Sequence, residues 1–321
     1  MSPSDDPHLK WAIKVLNTSG YQLKSNTPEI IQNTPWSEVS RFITNKGFVF
    51  LKQTPAALSL ESKIIKILHE DFKANVPIII AENAELNCFL MQDAGRPLRE
   101  ILKKQFDTAL LCKAIDQFTS LQIAVGDYIN IFLDIGVPDW RLDKLHDLYK
   151  QLLSQKDILI ADGLSEIEID ELRALLPKVS LLCQKVSDYS IKQTLVQPDF
   201  NDNNTLIADR SQAITLIDLG EIVISHPFFS LLNGLHQIKK HHGITEESTM
   251  YQKILDACLN NYTPFESREN LLKVWVLIRP LWFVYGALAG FRLMAACGKS
   301  KILSFQQGKL ADTLRALLIK E

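Results

Sequence analysis

The feature that most constrains this chain is a change in its hydrophobic pattern near residue 95. Before that point, apolar residues form short runs bounded by turn residues, which is typical of strands. After it, long segments repeat apolar residues at helical spacing, which is typical of amphipathic helices. We therefore expect an α+β fold, with a small β-rich lobe at 1–94 and a larger, mainly helical lobe at 95–321.

The elements expected on each side of the change follow from the same patterns. The first part is predicted to contain helices at 8–17 and 55–70, with Pro55 in the first turn of the second, and strands at 28–34, 37–44, 47–54, 76–82 and 87–92. The second part is predicted to contain helices near 98–104, 107–124, 140–155, 165–186, 228–240, 247–260, 268–292 and 302–319. An island at 194–221 interrupts these helices with two short apolar runs around polar loops.

Composition excludes several classes of protein. The 321 residues are 46% apolar and carry a net charge of −2, so disorder and general polyanion binding are not expected, and no nucleic-acid partner is predicted. The five cysteines include no CxxC pair, and the polar, acidic start does not resemble a signal peptide. These features favour a cytoplasmic location. The apolar segment 274–291 contains Arg279 and Pro280, so we expect a buried core helix rather than a membrane span.

Three side chains of the island have a spacing that suggests chemistry. Asp199 and Asn204 lie five residues apart in the polar loop QPDFNDNN, and Asp218 ends the apolar run AITLI directly before Leu-Gly. In phosphoryl transfer, one carboxylate orients the attacking hydroxyl and accepts its proton, while an amide oxygen and a second carboxylate hold Mg²⁺. Mg²⁺ prefers such hard oxygen ligands. The island therefore suggests a phosphoryl-transfer site.

Two other interpretations of the loop are simpler. The order Asp199-x-Asn201-x-Asn203 is like the start of an EF-hand, but that motif needs glycine at its sixth place and an acidic residue at its twelfth, where this chain has Asn204 and Arg210. The EF-hand interpretation fails. A polar turn between two strands remains an alternative, although it leaves Asp218 unexplained.

The two linked motifs resemble the catalytic and metal loops of the aminoglycoside phosphotransferase and choline kinase group, which are relatives of the protein kinases. The segment SHPFF at 225–229 also resembles the one that follows the second motif, and the resemblance extends from about residue 25 to the end of the chain. It implies a two-lobed protein-kinase-like fold in which Asp199 is the catalytic residue and Asn204 and Asp218 hold Mg²⁺. The chain departs from the family at Gln197, where a loop-bracing histidine is expected.

The first lobe offers a lysine and a glutamate for the same chemistry. Lys52 continues the strand face of Phe48 and Phe50, and Glu61 falls inside the apolar stripe of the following helix, whereas Glu70 falls on the opposite side. A charge inside an apolar stripe needs a partner, and Lys52 is the expected one. The resemblance implies that Lys52 binds nucleotide phosphate and that Glu61 positions it. A solvated lysine at a strand end and a glutamate reaching water at the edge of the stripe are the alternatives.

The remaining nucleotide-binding assignments come from the resemblance alone. The turn Asn33–Ser37 has no glycine, but it resembles a family variant in which Ser37 covers the phosphates through its hydroxyl and backbone amide. The segment MQDAG at 91–95 matches the hinge between lobes, so Gln92 and Ala94 are expected to meet the nucleotide base. Side chains there do not distinguish ATP from GTP.

Together these patterns predict an enzyme with Mg²⁺ and ATP (or GTP) as cofactors. It would transfer a γ-phosphoryl group to a hydroxyl of a small molecule such as an aminoglycoside, choline or a sugar. Acidic residues that could receive a cationic substrate, or be ordinary surface charge, are Asp134, Asp139, Asp143, Asp147 and Glu221. Gln197 and the missing glycines keep an alternative open, a catalytically impaired pseudokinase or nucleotide-binding module that acts through a protein partner of unknown identity.

Overall fold

The computed structural model describes residues 6–209 and 211–319 and has the predicted α+β class. The strands are β1 Glu29–Thr34, β2 Ser37–Thr44, β3 Gly47–Gln53, β4 Ile79–Asn83, β5 Cys88–Gln92, β6 Arg96–Pro97, β7 Thr194–Val196, β8 Thr205–Ile207, β9 Ile214–Leu216 and β10 Val223–Ser225. The helices are α1 Pro7–Thr18, α2 Glu61–Glu70, α3 Leu98–Lys104, α4 Thr108–Val125, α5 Ile129–Asp134, α6 Leu142–Ser154, α7 Lys156–Asp162, α8 Glu166–Ala174, α9 Leu176–Ser187, α10 Phe228–His242, α11 Thr249–Asn260, α12 Arg268–Cys297, α13 Lys299–Gln306 and α14 Lys309–Ile319.

The chain divides into two compact units. The first contains the chain up to Arg96 together with Ile207–Gly220, and the second contains Pro97–Leu206 together with the chain from Glu221 onward. The chain thus returns to the first unit for one short segment, which carries Asp218. The lobe boundary expected between residues 94 and 95 stays a prediction.

The first unit is built on a five-stranded antiparallel sheet in the order β1-β2-β3-β5-β4. Alternate residues of its strands cover one face with a hydrophobic core, which includes Val49 and Leu51 of β3. Leu16 of α1 is buried in that core. Lys52 follows Leu51 directly and belongs to the other set of alternate residues, so its side chain leaves the sheet on the opposite face.

The second unit is mainly helical, with α12 at its centre. α12 packs against α9 and α14, and its buried residues include Leu271, Ile278 and Leu288. By length and composition alone this helix could cross a membrane, but 44% of its most apolar window is already buried inside the protein. That burial agrees with the core helix expected from the sequence, while the absence of a membrane partner stays a prediction.

Several predicted helix boundaries are wrong, and local chemistry explains each. The helix expected at 55–70 begins only at Glu61, because extended Pro55 leads into a separate 3-10 turn at Ala56–Leu58. The helix expected at 165–186 is two helices, since Pro177 in the first turn of α9 lacks an N–H for a continuous ladder. The helix expected at 302–319 is interrupted at Gly308, whose φ is +85°.

Two short helices were not predicted. α5 and α7 have six and seven residues and lie in segments without a clear apolar period. The island at 194–221, where two short apolar runs were expected, contains the strands β7, β8 and β9, each of three residues. β10 follows the island and pairs antiparallel with β7 in the second unit. Asn75 anchors β9 in the first unit, where its backbone oxygen accepts from the Leu216 amide at 3.1 Å and its side chain donates to the Ile214 carbonyl at 2.6 Å.

Candidate active site

Three charged side chains meet in the first unit. Lys52 Nζ lies 2.7 Å from Glu61 Oε2 and 2.5 Å from Asp218 Oδ1. Lys52 and Glu61 are 5% and 2% exposed, whereas the Asp218 side chain keeps 33% of its surface accessible. The ion pair expected between Lys52 and Glu61 is present, and the fold adds Asp218 from a point 166 residues along the chain.

The backbone around Asp218 explains the Leu-Gly that follows it. Asp218 has a φ of +62°, a left-handed conformation that is rare outside glycine and costs free energy. The Leu219 amide donates to Glu61 Oε1 at 3.1 Å. A Cβ at Gly220 would lie 3.1 Å from Glu61 Oε2, so glycine allows this close approach. Glu61 therefore orders the segment that carries Asp218 as well as the lysine.

Burial and charge have opposing effects on Lys52. Burial alone lowers the pKa of the ammonium, but the nearby carboxylates of Asp218 and Glu61 outweigh it and raise that pKa above its ordinary value. Burial acts on Glu61 in the opposite sense and raises the pKa of its carboxyl. Lys52 is thus a permanently charged cation, fixed by two acids.

Ser37 closes a tight turn between β1 and β2. Its amide donates to Thr34 Oγ1 at 3.1 Å, and its hydroxyl accepts from Gln32 Nε2 at 3.2 Å. The side chain is buried, with 5% of the residue exposed. The amide that the resemblance assigned to phosphate is therefore engaged within the turn, and the nucleotide-binding role of Ser37 stays a prediction.

Gln92 and Ala94 flank the end of β5. The Gln92 amide donates to the Ile78 carbonyl at 3.0 Å, and its side chain is exposed. Ala94 is partly buried beside Gly95, which has a φ of +118°. A Cβ at Gly95 would lie 2.2 Å from the Ile207 carbonyl oxygen, so only glycine fits there. Contact of Gln92 and Ala94 with a base stays a prediction.

Asp199 and Asn204 meet in the second unit. Asn204 Nδ2 donates to both Asp199 Oδ2 and the Asp199 carbonyl, each at 2.9 Å. Asn204 is 6% exposed, whereas Asp199 is exposed to solvent. Because its amide nitrogen faces Asp199, the amide oxygen of Asn204 is the atom oriented for a cation.

The loop that carries these two residues has contacts that sequence patterns do not reveal. Ser230 Oγ accepts from the Gln197 amide at 2.8 Å and donates to the Gln197 carbonyl at 3.0 Å. Phe200 stacks on Phe118 with centroids 3.9 Å apart, and its carbonyl accepts from Asn233. The Gln197 position is therefore fixed through its backbone. The segment SHPFF and the helix predicted near 228–240 both pointed to this helix, but neither singled out Ser230.

Each unit offers one oxygen donor of the kind that Mg²⁺ takes. Among residues 6–209 and 211–319, no group of three or more His, Cys, Asp or Glu side chains could hold a metal ion. Asn204, in the second unit, has an amide oxygen, and Asp218, in the first unit, has a carboxylate. Mg²⁺ commonly takes one or two protein carboxylates and completes its shell with waters and substrate phosphates.

Comparisons with known proteins identify the fold. No protein-family description and no curated protein sequence matches the chain. Solved structures do match. A macrolide 2'-phosphotransferase type I has a TM-score of 0.60 at 11% identity, with 94% of this chain and 96% of that one covered. An aminoglycoside phosphotransferase in complex with GDP and kanamycin has 0.59 at 16%, with 98% and 99% covered.

A Plasmodium vivax ethanolamine kinase has a TM-score of 0.58 at 12% identity, with 91% of this chain and 81% of that one covered. The chain has a protein-kinase-like fold. The fold that the resemblance implied is thereby confirmed. At these identities the likeness concerns the fold alone, so the chemistry has to be argued from the chain's own residues.

Proposed function

We propose that this protein is a phosphotransferase that moves the γ-phosphoryl group of ATP (or GTP) to a hydroxyl of a small molecule. The observation that carries the proposal is the group of Lys52, Glu61 and Asp218, in which Lys52 and Glu61 are buried and the Asp218 side chain keeps 33% of its surface accessible. Stability alone does not require a buried lysine with two carboxylates here, since well-packed apolar residues are often as stabilising as a buried ion pair. The trio does suit phosphoryl transfer, which needs a fixed cation and a metal-binding carboxylate.

The roles follow from the chemistry of each residue. Lys52 binds nucleotide phosphate, and Glu61 holds its side chain in place. Asp199 orients the acceptor hydroxyl and accepts its proton, which its exposed carboxylate is suited to do. Asn204 and Asp218 would hold Mg²⁺, which when bound neutralises charge on the phosphates. Ser37, Gln92 and Ala94 remain proposed nucleotide contacts.

The fold neighbours support a small-molecule acceptor. The three structures compared above are named as enzymes acting on a macrolide, an aminoglycoside and ethanolamine, each a compound with free hydroxyl groups. A substrate screen with antibiotics, amino alcohols and sugars identifies the acceptor. A cytoplasmic location, with no nucleic-acid or membrane partner, is part of the proposal, and a protein partner is left unknown.

The first experiment measures nucleotide binding by thermal melting. ATP and GTP are each added with and without Mg²⁺ to the wild type, to Asp218→Ala and to a control, Asp209→Ala, whose exposed side chain pairs with Arg96. A nucleotide at ~100 times its Kd stabilises the folded state by about 2.7 kcal/mol. We expect Mg²⁺-dependent stabilisation in the wild type and the control, and its loss in Asp218→Ala.

The second experiment measures turnover with a panel of hydroxylated amines, macrolides and sugars. We expect Asp199→Asn to lower kcat by about a hundredfold or more, since general-base catalysis contributes ~10²–10⁴, and to leave the nucleotide-induced melting shift intact. Full activity in Asp199→Asn would refute the assignment. Nucleotide binding without turnover on the whole panel would favour the impaired pseudokinase instead.

A further inference from the structure

The loop between Asp199 and Asn204 contains a carboxylate that the proposed reaction does not use. Asp202 lies three residues after Asp199 and two before Asn204, and its side chain is fully buried. Removing a carboxylate from water is costly unless partners compensate for the lost hydration. The partners of Asp202 must therefore compensate for the hydration that its carboxylate has lost.

Those partners come from distant parts of the second unit. Arg99, at the start of α3, donates from Nε to Asp202 Oδ1 at 2.8 Å. His242, the last residue of α10, places Nε2 2.7 Å from Asp202 Oδ2, and its side chain is only 4% exposed. Phe106 packs against the His242 ring with centroids 5.1 Å apart. Each carboxylate oxygen of Asp202 is thus bound by a different element.

The same arginine also reaches the rest of the loop. Arg99 donates through its terminal nitrogen to Asn201 Oδ1 at 3.0 Å, and its amide donates to the Asp202 carbonyl at 2.9 Å. Asn201 Oδ1 in turn accepts from the amides of Asn203 at 2.7 Å and Asn204 at 3.3 Å. A movement of Arg99 would therefore displace the backbone of Asn204 through Asn201.

We propose that Arg99, Asp202 and His242 form a positioning brace that holds Asp199 and Asn204 in the geometry needed for phosphoryl transfer. The inference rests on the proposed function. A buried ion pair often adds little to the stability of a protein. A catalytic group that is misplaced by about 1 Å, however, can lower the reaction rate by ~10². The brace holds the C-terminal half of the loop, while Phe200 and the Ser230 contacts of Gln197 hold the N-terminal half.

The test compares two adjacent histidines. His242→Ala removes the contact with Asp202, and His242→Gln restores a side-chain donor to it. His241→Ala is the control, because the His241 ring forms its hydrogen bond with Gln237, whereas Asp202 and Arg99 act on it only as nearby charges. We expect His242→Ala to lower kcat about tenfold to a hundredfold with the nucleotide KM changed less than about twofold. His242→Gln should recover most of the rate, and His241→Ala should match the wild type.

Hydrogen exchange provides a readout that does not depend on turnover. In the chain without nucleotide, the amides of Arg99, Asn203 and Asn204 should exchange at least about tenfold faster in Asp202→Asn and His242→Ala than in the wild type. Amides of α12 should exchange at wild-type rates, which would show that the second unit is still folded. Arg99→Lys keeps the positive charge but loses the planar guanidinium with its several N–H donors, so it should behave like Asp202→Asn.

The outcomes separate the two proposals. Wild-type protein that turns over no substrate refutes the proposed function, and the exchange rates then decide whether the brace orders the loop. An active wild type whose His242→Ala and Asp202→Asn variants retain both kcat and amide protection refutes the brace. Loss of kcat equally in His242→Ala and His241→Ala also refutes it, since the effect would then come from the helix end in general.

Discussion

At the scale of a single residue, Lys52 shows how burial changes the contribution of a charged side chain to the stability of the protein. The chain has another lysine–carboxylate pair in the same unit, Lys66 with Glu82, at a similar distance of 2.6 Å. That pair has side chains 40% and 33% exposed, so water and ions screen it. Lys52 and Glu61, by contrast, are buried, so loss of the lysine leaves the buried carboxylate of Glu61 unpaired.

We therefore expect Lys52→Met to lower the free energy of unfolding by about 3 kcal/mol, the usual effect of removing one partner of a buried pair. Lys66→Met should change it by no more than about 1 kcal/mol, as for other surface pairs. Urea denaturation of both variants beside the wild type measures the difference. Equal effects of the two substitutions would show that burial of the Lys52–Glu61 pair does not add to its effect on stability.

At the scale of an element, α14 depends on a residue far from it in sequence. Asp162, the last residue of α7, is 1% exposed and accepts from the amides of Gly308 at 2.9 Å and Ala311 at 2.8 Å. These donors lie at the start of α14, where a helix has N–H groups without partners inside the helix. A carboxylate there also interacts favourably with the helix dipole.

We expect Asp162→Ala to lower the free energy of unfolding by about 2 kcal/mol, since it removes a cap and leaves the buried amide of Ala311 and the partly buried amide of Gly308 without this acceptor. Asp157→Ala is the control, because Asp157 lies in the same short helix with an exposed side chain. Denaturant unfolding measures the global effect. Hydrogen exchange that is faster only at amides of α14 would show that the effect is local to this helix. Wild-type stability of Asp162→Ala would contradict the role of Asp162 as a cap.

At the scale of the whole molecule, one buried histidine couples stability to pH. His226 is 1% exposed and packs edge-on against Phe228 and Phe229. Its Nδ1 accepts from the Phe228 amide at 3.3 Å, and within residues 6–209 and 211–319 its Nε2 has no hydrogen-bond partner. Burial lowers the pKa of His226 to about 3, because the charged ring has lost its hydration.

The sign of the effect follows from proton binding. An unfolded chain protonates this histidine below a pH of about 6.5, whereas the folded chain does not until the pH falls to about 3. The contribution to stability is therefore complete above about pH 6.5, and it declines by about 1.4 kcal/mol per pH unit as the pH falls toward 3. Thermal melting between pH 7.5 and 4.5 should show the decline.

His226→Gln should make the melting temperature less dependent on pH in that range, at the cost of lower stability at pH 7.5. His69→Gln, at an exposed position of α2, serves as the control and should keep the wild-type slope. An unchanged slope in His226→Gln would show that other groups cause the pH dependence.

Sequence reasoning succeeded where the signal is local. Period two places Lys52 on one strand face, period 3.6 places Glu61 among buried residues of α2, and the five-residue spacing of Asp199 and Asn204 keeps both in one loop. Such patterns depend on neighbours within a few residues, so they can be seen in the sequence alone. The change of pattern near residue 95 predicted the α+β class for the same reason.

Tertiary structure decided what depends on distant partners. Asp218 joins Lys52 across 166 residues, Arg99 reaches Asp202 across 103, and Asp162 caps α14 across 146. Nothing near any of these residues marks its partner, because each contact exists only after burial has excluded water and the chain has closed. The sequence by itself determined the strands and helices that local patterns specify and the residue types of the polar loops. The packing of distant segments decided which charged side chains lie together, because those contacts form only once the chain has folded.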